Sequence, residues 1–200
     1  MTKKLPKENR IEVIIKSAVS VFTENGYENT TMEKIAAEAG ISKGGLYHHF
    51  SSKDEIFTYA LKELCQPVSD FLSKAFESVS PAEGLQYFIE AYIDFWTNRE
   101  TELSFFFLSF SKCFNNPALK DYYDTSLSEY HSAVMSLYDR SVEAGEMDNV
   151  DSSEAAQLLI AQLDGIIFYL FTKTSLKPAE AAAAVTAANV GRYLKQCRED

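Results

Sequence analysis

Cysteine is scarce in this chain, and so are glycine, proline and histidine. The 200 residues include three cysteines, eight glycines, five prolines and three histidines. Cys65, Cys113 and Cys197 fit neither a zinc-ligand spacing nor a disulfide framework, so we expect reduced thiols. The histidines form no H-E-x-x-H or E-x-x-H pattern. The sequence therefore predicts no metal centre and no cofactor.

Long apolar runs are absent as well. No stretch reaches the roughly 18 uninterrupted apolar residues of a membrane helix, and the basic start, MTKKLPKENR, lacks the apolar core of a signal peptide. We therefore expect a cytoplasmic protein with no membrane partner. Apolar residues nevertheless make up 46% of the chain and aromatic residues 13%. This composition excludes general disorder and is sufficient for a sizeable core.

Acidic residues dominate the chain, but not its N-terminal end. The net charge is −10, yet residues 1–62 hold 9 Lys and Arg against 8 Asp and Glu, whereas residues 63–200 hold 10 against 21. An acidic surface repels phosphate. Any contact with nucleic acid is therefore expected at the N-terminal end.

Apolar residues recur at three- and four-residue steps nearly throughout, and no segment shows the alternation of a strand. We predict an all-α fold of about nine helices. Gly26 is expected to end the first helix with a positive φ. Capping patterns predict further helix starts at Thr30 or Thr31, Ser52, Ser80, Asn116 and Asp151, and Pro178 is predicted to open the last helix. Pro67 is expected to kink or end the fourth helix.

Residues 31–53, TMEKIAAEAGISKGGLYHHFSSK, predict two short helices around a tight turn. The apolar residues of the first short helix share one face, Gly40 permits the turn, and Ile41 and Leu46 close a small core between the helices. This spacing predicts a helix-turn-helix, whose second helix lies in the major groove of DNA. Lys43 is long enough to reach guanine O6 or N7. Tyr47 and the two histidines after it can donate hydrogen bonds to phosphates.

The pattern from Thr30 to Lys53 resembles the DNA-binding signature of the TetR family of repressors, and the likeness covers about residues 9–60. The resemblance implies a homodimer that binds a palindromic double-stranded DNA operator and releases it when a small molecule enters the C-terminal body. It divides the chain into a DNA-binding domain (1–53) and a ligand-binding and dimerisation domain (54–200). The implied DNA-binding residues are Thr31, Ser42, Lys43, Gly44, Gly45, Tyr47, His48, His49 and Lys53. His49 has a structural alternative, which is packing against Phe50 and the fourth helix.

Twenty of the 26 aromatic residues lie beyond residue 62, a distribution that favours an apolar pocket with a few polar groups. Phe105, Phe106 and Phe107 are adjacent, which predicts a helix buried on every side. Asp94, His131, Gln162 and Asp164 are expected inside the body. We expect a planar or lipophilic effector of unknown identity; the alternative is an ordinary aromatic core. The predicted ligand-binding residues are Tyr92, Phe95, Trp96, Phe106, Phe110, Phe114, Tyr123, His131 and Gln162.

The last two helices combine a broad apolar surface with a run of small residues. Two such helices from each subunit would form a four-helix bundle with two-fold symmetry. The alternative is that these helices only complete the core of the monomer. The predicted dimer-interface residues are Leu159, Leu163, Ile166, Ile167, Leu170, Ala184, Ala188 and Gly191.

Two patterns imitate catalytic motifs. Gly40–Gly44 matches G-x-S-x-G, but a helix rather than a strand precedes it. Ser109–Lys112 matches S-x-x-K without its companion motifs. The sequence thus predicts no catalytic residues. A DNA-binding regulator whose body senses nothing is the second hypothesis, and a helical enzyme with a vestigial head is the third.

Overall fold

The computed structural model describes residues 7–148, 150–172 and 175–194, with side chains from Arg10 onward. These residues form nine α-helices and one π-helical turn, and within the described ranges there is no β-strand. The predicted all-α class is confirmed. The helices are α1 (Lys7–Asn29), α2 (Met32–Glu38), α3 (Lys43–Tyr47), α4 (Lys53–Glu77), α5 (Pro81–Thr97), α6 (Glu100–Cys113), α7 (Pro117–Glu143), α8 (Ser152–Phe171) and α9 (Pro178–Thr186), followed by the turn Ala187–Gly191.

The chain divides into two compact units. The head unit comprises residues 1–66 and 101–120, and the body unit comprises residues 67–100 and 121–200. Helix α4 continues through Pro67, so this proline does not end the helix, and the kink expected there stays a prediction. A proline removes one backbone donor from a helix, but this helix is 25 residues long and continues on both sides of Pro67. The functional division into residues 1–53 and 54–200 stays a prediction.

Most helix starts follow the predicted capping residues. The Ser80 hydroxyl accepts a hydrogen bond from the Glu83 N–H at 3.1 Å, and Pro81 occupies the first helical position. The Asn116 side chain accepts from Leu119 at 3.1 Å, and the Asp151 carboxylate from Glu154 at 3.0 Å. These starts are confirmed, because each side chain satisfies an N–H that the helix leaves unpaired. The apolar periodicity also predicts helix ends near residues 173 and 197, and both positions lie outside the described residues.

Aromatic rings from three helices form the core of the head unit. Phe22 of α1 meets Phe57 of α4 edge-on, with ring centroids 4.8 Å apart. Phe57 in turn contacts Phe105 of α6 at 4.8 Å, and all three side chains are buried. Gly26 interrupts α1 at φ 72°, so the predicted positive φ at the end of the first helical run is confirmed. Residues more than 80 positions apart therefore share one core.

Helix α5 is the most buried element of the body unit. It packs against α8, α9 and the π-helical turn. Phe88, Tyr92 and Trp96 of α5 are buried together with Leu159 and Leu163 of α8. Among the described residues, α8 is the one helix long and apolar enough to cross a membrane by length and composition, a test that core helices also pass.

Helix α6 corrects one expectation. Phe105 is fully buried, but Phe106 and Phe107 are only half-buried and Phe110 is 48% exposed. The helix is therefore not buried on every side. Three adjacent aromatic residues do point in three directions, but only one of these directions faces the head core.

Candidate functional site

The helix-turn-helix is built by two short helices with side-chain caps. Thr31 caps α2 by accepting a hydrogen bond from the Lys34 N–H at 3.3 Å. Gly40 makes the turn with φ 64°, a conformation that few other residues adopt without strain. Ser42 caps α3 by accepting from the Gly45 N–H at 3.1 Å. Leu46 is fully buried, which anchors α3 and leaves its other side to solvent.

The structure places most of the predicted DNA-binding residues on this open side. Tyr47 is 47% exposed. A Cβ added at Gly44 would meet no atom within 4 Å, whereas a Cβ at Gly45 would lie 3.2 Å from the Ser42 hydroxyl. The residues exposed to solvent are Thr31, Ser42, Lys43, Gly44, Tyr47 and His48, and the half-buried ones are Gly45, His49 and Lys53.

The main cation of α3 is held by an acidic residue of α2. The Lys43 ammonium forms an ion pair with the Glu33 carboxylate, and it lies 5.8 Å from the centre of the Tyr47 ring. The hydrogen bond with Lys43 lowers the pKa of Glu33, and the same bond raises the pKa of Lys43. Both side chains are exposed. The ion pair therefore occupies at least one of the three N–H donors of Lys43.

Lys53 occupies a more internal position than its predicted phosphate contact implies. Its ammonium donates to the carbonyl oxygens of Tyr27 at 2.9 Å and Thr30 at 3.2 Å, and it lies 4.4 Å from the centre of the Tyr27 ring. It therefore ties the start of α4 to the connection between α1 and α2. One N–H of the ammonium remains for another acceptor, and the phosphate contact stays a prediction.

Sequence reasoning missed a cluster of polar residues behind the helix-turn-helix. The Tyr27 hydroxyl donates to Asp54, and burial, followed by the hydrogen bond with Asp54, raises the pKa of Tyr27. Lys112 of α6 pairs with Glu28 and lies 4.8 Å from the centre of the Tyr27 ring. No local pattern signals this contact, because Lys112 is 84 residues from Glu28.

Two capped helices that cross over a glycine turn, the second with an open polar face, define a helix-turn-helix protein that binds DNA. Residues 14–60 match the family model described as bacterial regulatory proteins of the tetR family, and residues 81–196 match the model described as the C-terminal part of BetI-type transcriptional repressors. The chain belongs to the TetR family. It is a DNA-binding transcriptional regulator and not an enzyme.

Individual relatives agree with the family models. The chain is 30% identical over 173 residues to the HTH-type transcriptional regulator PksA of Bacillus subtilis, with 84% of this chain and 82% of that protein covered. It is 28% identical over 163 residues to the HTH-type transcriptional repressor BepR of Brucella suis, with 78% of each covered. The crystal structure of the TetR-family regulator PfmR from Thermus thermophilus matches with a TM-score of 0.75 at 27% identity, covering 92% of this chain and 99% of that one.

The predicted ligand-binding residues do not form one set. Tyr92, Phe95, Trp96 and Tyr123 are buried in the body unit, and His131 is half-buried there, with its Nε2 3.1 Å from the Ser153 carbonyl oxygen. Phe106, Phe110 and Phe114 belong to the head unit instead.

Three of these residues are exposed in the structure. Phe110 is 48% and Phe114 is 74% exposed, and their contact with a ligand stays a prediction. Phe110 lies in the last turn of α6, and Phe114 directly follows the last residue of this helix, Cys113. Gln162 lies on the exposed side of α8, where its amide oxygen accepts from Asn189 at 2.6 Å. The expected interior position of Asp94 is also wrong, because this side chain is exposed.

The predicted dimer interface is corrected in a similar way. Leu159, Leu163 and Ile167 are fully buried inside the protomer, so they are core residues and cannot form an exposed interface. Ile166 and Leu170 are half-buried. The apolar residues of α8 that are exposed are instead Leu158, Phe168 and Tyr169. On the last helix and the π-helical turn, Ala184, Ala188 and Gly191 are exposed as an interface requires.

The head unit also has an open groove of about 630 Å³. Helices α1, α4 and α6 form its walls, with Ile15, Val19, Tyr59 and Leu64 among the apolar lining residues. Within the described residues, no group of three or more His, Cys, Asp or Glu side chains has an arrangement that could hold a metal ion.

Proposed function

We propose that this regulator is a repressor that binds a palindromic operator as a homodimer and leaves it when a small molecule binds the body unit. The observation that carries the DNA-binding part is the open face of α3, where Lys43, Gly44 and Tyr47 are exposed while Leu46 anchors the helix. A homodimer would present two such helices to successive major grooves about 34 Å apart, one turn of the duplex. Because its target is DNA, we expect the protein in the cytoplasm.

The exposed side of α8 supports the proposed dimer. Leu158, Gly165 and Phe168 are all exposed, and they recur at the spacing of one helical face. The small residues Ala184 and Ala188 are exposed on α9 and the turn after it. An apolar stripe beside small residues permits close packing of four helices across a two-fold axis.

Buried aromatic side chains of α5 support the proposed effector site. Phe95 and Trp96 meet with ring centroids 5.0 Å apart, and Tyr92 lies 6.4 Å from Trp96. Large aromatic surfaces with a few polar atoms are typical of sites for drug-sized molecules.

DNA selection from a random duplex pool, followed by a gel shift with the selected operator, tests the proposal. We expect selective binding that weakens steeply as salt rises, because phosphate contacts release counterions. Replacing Tyr47 by alanine should abolish selective binding and leave the oligomeric state unchanged. Tyr87→Ala is the matched control, because Tyr87 is an exposed tyrosine of the body unit. Failure to select any sequence contradicts the proposed operator.

A further inference from the structure

Residues 26–31 link the first helical run of α1 to α2, and we call them the α1–α2 connection. Gly26 leaves the helical conformation at φ 72°, and Thr31 caps α2. Thr31 is also one of the predicted DNA-binding residues. Since α2 packs against α3, the position of this connection affects the whole helix-turn-helix.

Three lysines from three different helices hold the α1–α2 connection. Lys34 of α2 donates to the Asn29 carbonyl oxygen at 3.0 Å, and Lys53 of α4 donates to two further carbonyl oxygens of the connection. Lys112 of α6 forms an ion pair with Glu28. The contact of Lys112 differs from the other two, because it joins residues 84 positions apart in the chain. It therefore ties the connection to a distant helix.

The Tyr27 ring contacts two of these ammonium groups. The Lys53 nitrogen lies 4.4 Å and the Lys112 nitrogen 4.8 Å from the ring centre. Aromatic rings attract cations in this way. The Phe57 ring packs edge-on at 5.1 Å, and the Tyr27 hydroxyl donates to Asp54. A single side chain of the connection thus contacts both α4 and α6.

Burial and charge give Lys112 a defined place beside this ring. Its side chain is only 26% exposed, whereas that of Glu28 is 75% exposed. The two ammonium groups at the Tyr27 ring are matched by two carboxylates, those of Glu28 and Asp54. A cation that is partly withdrawn from water needs such partners, because an unpaired charge is costly to bury.

We propose that Lys112 is a positioning residue for DNA binding. Through Glu28 and the Tyr27 ring it fixes the α1–α2 connection, and with it Thr31 and the start of α2, while its own ammonium contacts no DNA. Phosphate contacts set the register of a DNA-binding protein on the duplex, so a displaced Thr31 would also weaken base contacts made by α3. The inference rests on the DNA binding of the family, and it does not require the proposed palindrome, dimer or effector.

Lys112→Met and Lys112→Arg test this role in the full-length protein. Methionine keeps most of the side-chain length and removes the charge, whereas arginine keeps the charge. Fluorescence anisotropy with the labelled selected operator measures the affinity. We expect Lys112→Met to weaken binding about threefold to tenfold, and Lys112→Arg to stay within about twofold of the parent chain. Equal losses in the two variants would contradict a role for the cation.

The salt dependence of binding separates positioning from a direct phosphate contact. The slope of log affinity against log salt concentration should be the same for Lys112→Met and the parent chain, because no phosphate contact is lost. A slope that is smaller by about one in Lys112→Met would assign a direct phosphate contact to Lys112 and overturn the proposal.

Lys16→Met is the matched control. It removes an exposed ammonium from α1 of the same unit and breaks an ion pair with Glu12. We expect its operator affinity to stay within about twofold of the parent chain. Equal losses in Lys16→Met and Lys112→Met would mean that only net charge matters, and the positioning role would be wrong. Circular dichroism and sedimentation velocity check that each variant keeps its fold and oligomeric state.

Amide hydrogen exchange in the absence of DNA separates this inference from the proposed function. We expect residues 26–34 to exchange at least about threefold faster in Lys112→Met than in Lys16→Met, with α5 unchanged in both. Unchanged exchange in residues 26–34 overturns the positioning role. If no operator can be selected, but exchange is faster and binding to a mixed-sequence duplex is weaker in Lys112→Met alone, the positioning role stands and the proposed operator does not.

Discussion

At the scale of single residues, we expect Glu33 to compete with DNA for Lys43. The carboxylate holds the ammonium in an ion pair and adds a negative charge beside α3. We expect Glu33→Gln to tighten operator binding about threefold to tenfold at low salt, because the cation is released and one repulsive charge is removed. Fluorescence anisotropy with labelled operator measures the affinity. Glu38→Gln removes the same charge from the same helix without freeing Lys43, and equal effects of both changes would contradict the argument.

Gly44 separates the requirements of folding from those of DNA binding. A Cβ there meets nothing within 4 Å in the protein. Gly44→Ala should therefore raise the free energy of unfolding, by about 0.5–1 kcal/mol, because alanine favours a helix. It should also weaken operator binding about tenfold, since the methyl group would stand between backbone and DNA. Urea denaturation and anisotropy measure the two effects, and unchanged DNA affinity would show that DNA does not approach this backbone.

Asp164 should make stability depend on pH. Its pKa is raised in the folded state, so the folded chain binds a proton more readily than the unfolded chain. Proton binding by Asp164 stabilises the folded state fully below the unfolded-state pKa of about 3.9. This stabilisation is lost as pH rises through the folded-state pKa of Asp164. Asp164→Asn keeps an acceptor for the Tyr92 hydroxyl and never ionises. We expect the variant to be more stable than the parent at pH 8, with a smaller difference at pH 5; a constant difference in urea denaturation would refute this.

At the scale of helices, Gly84 fixes the distance between α4 and α5. A Cβ at this position would lie 2.4 Å from the Ala75 carbonyl oxygen, so the helices must separate to admit it. We expect Gly84→Ala to lower the free energy of unfolding by about 1–3 kcal/mol, despite the better helix propensity of alanine. Thermal unfolding measures the change. Gly44→Ala is the control, because its methyl group enters open space and is expected to raise the free energy of unfolding. A stability at or above that of the parent would exclude a close contact.

Local sequence determines where helices begin, and this part of the fold was predictable. Ser80 and Asp151 each cap the helix that follows them, using atoms only three residues away. The side of α8 that faces the core was not predictable in the same way. Leu158 and Leu159 are adjacent and equally apolar, yet one is 48% exposed and the other fully buried. Burial depends on which helix packs alongside, and periodicity does not report this when apolar residues lie on every side.

The candidate DNA site also combines features that local sequence predicts with features that depend on the packing of distant residues. Exposed Lys43 and Tyr47 follow from a short amphipathic helix with a known motif. The internal bonds of Lys53 and the contact of Lys112 with Glu28 depend on distant parts of the chain. Sequence spacing identifies residues of one helix face, whereas contacts between helices require the packed structure.

At the scale of the whole molecule, the exposed stripe of α8 is expected to decide the oligomeric state. Phe168 is 56% exposed there. Phe168→Glu should convert the dimer into a monomer, since burying a charge without a partner at an apolar interface is costly. Sedimentation velocity measures the change, and operator affinity should fall because two linked heads bind more tightly than one. Val79→Glu is the control, because Val79 is a fully exposed apolar residue outside α8 and α9; a dimer that survives Phe168→Glu excludes this interface.

The head unit combines residues 1–66 with residues 101–120, and Phe105 completes the ring cluster begun by Phe22 and Phe57. A specificity module of this kind cannot be transplanted by exchanging one continuous stretch of gene. A chimaera that takes only residues 1–66 from this chain would combine α1 and the first part of α4 with the α6 of another protein. The side chains of that α6 are adapted to a different core. Two separated segments of the chain must therefore move together when the whole head unit is exchanged, whereas changes confined to the exposed face of α3 leave this core intact.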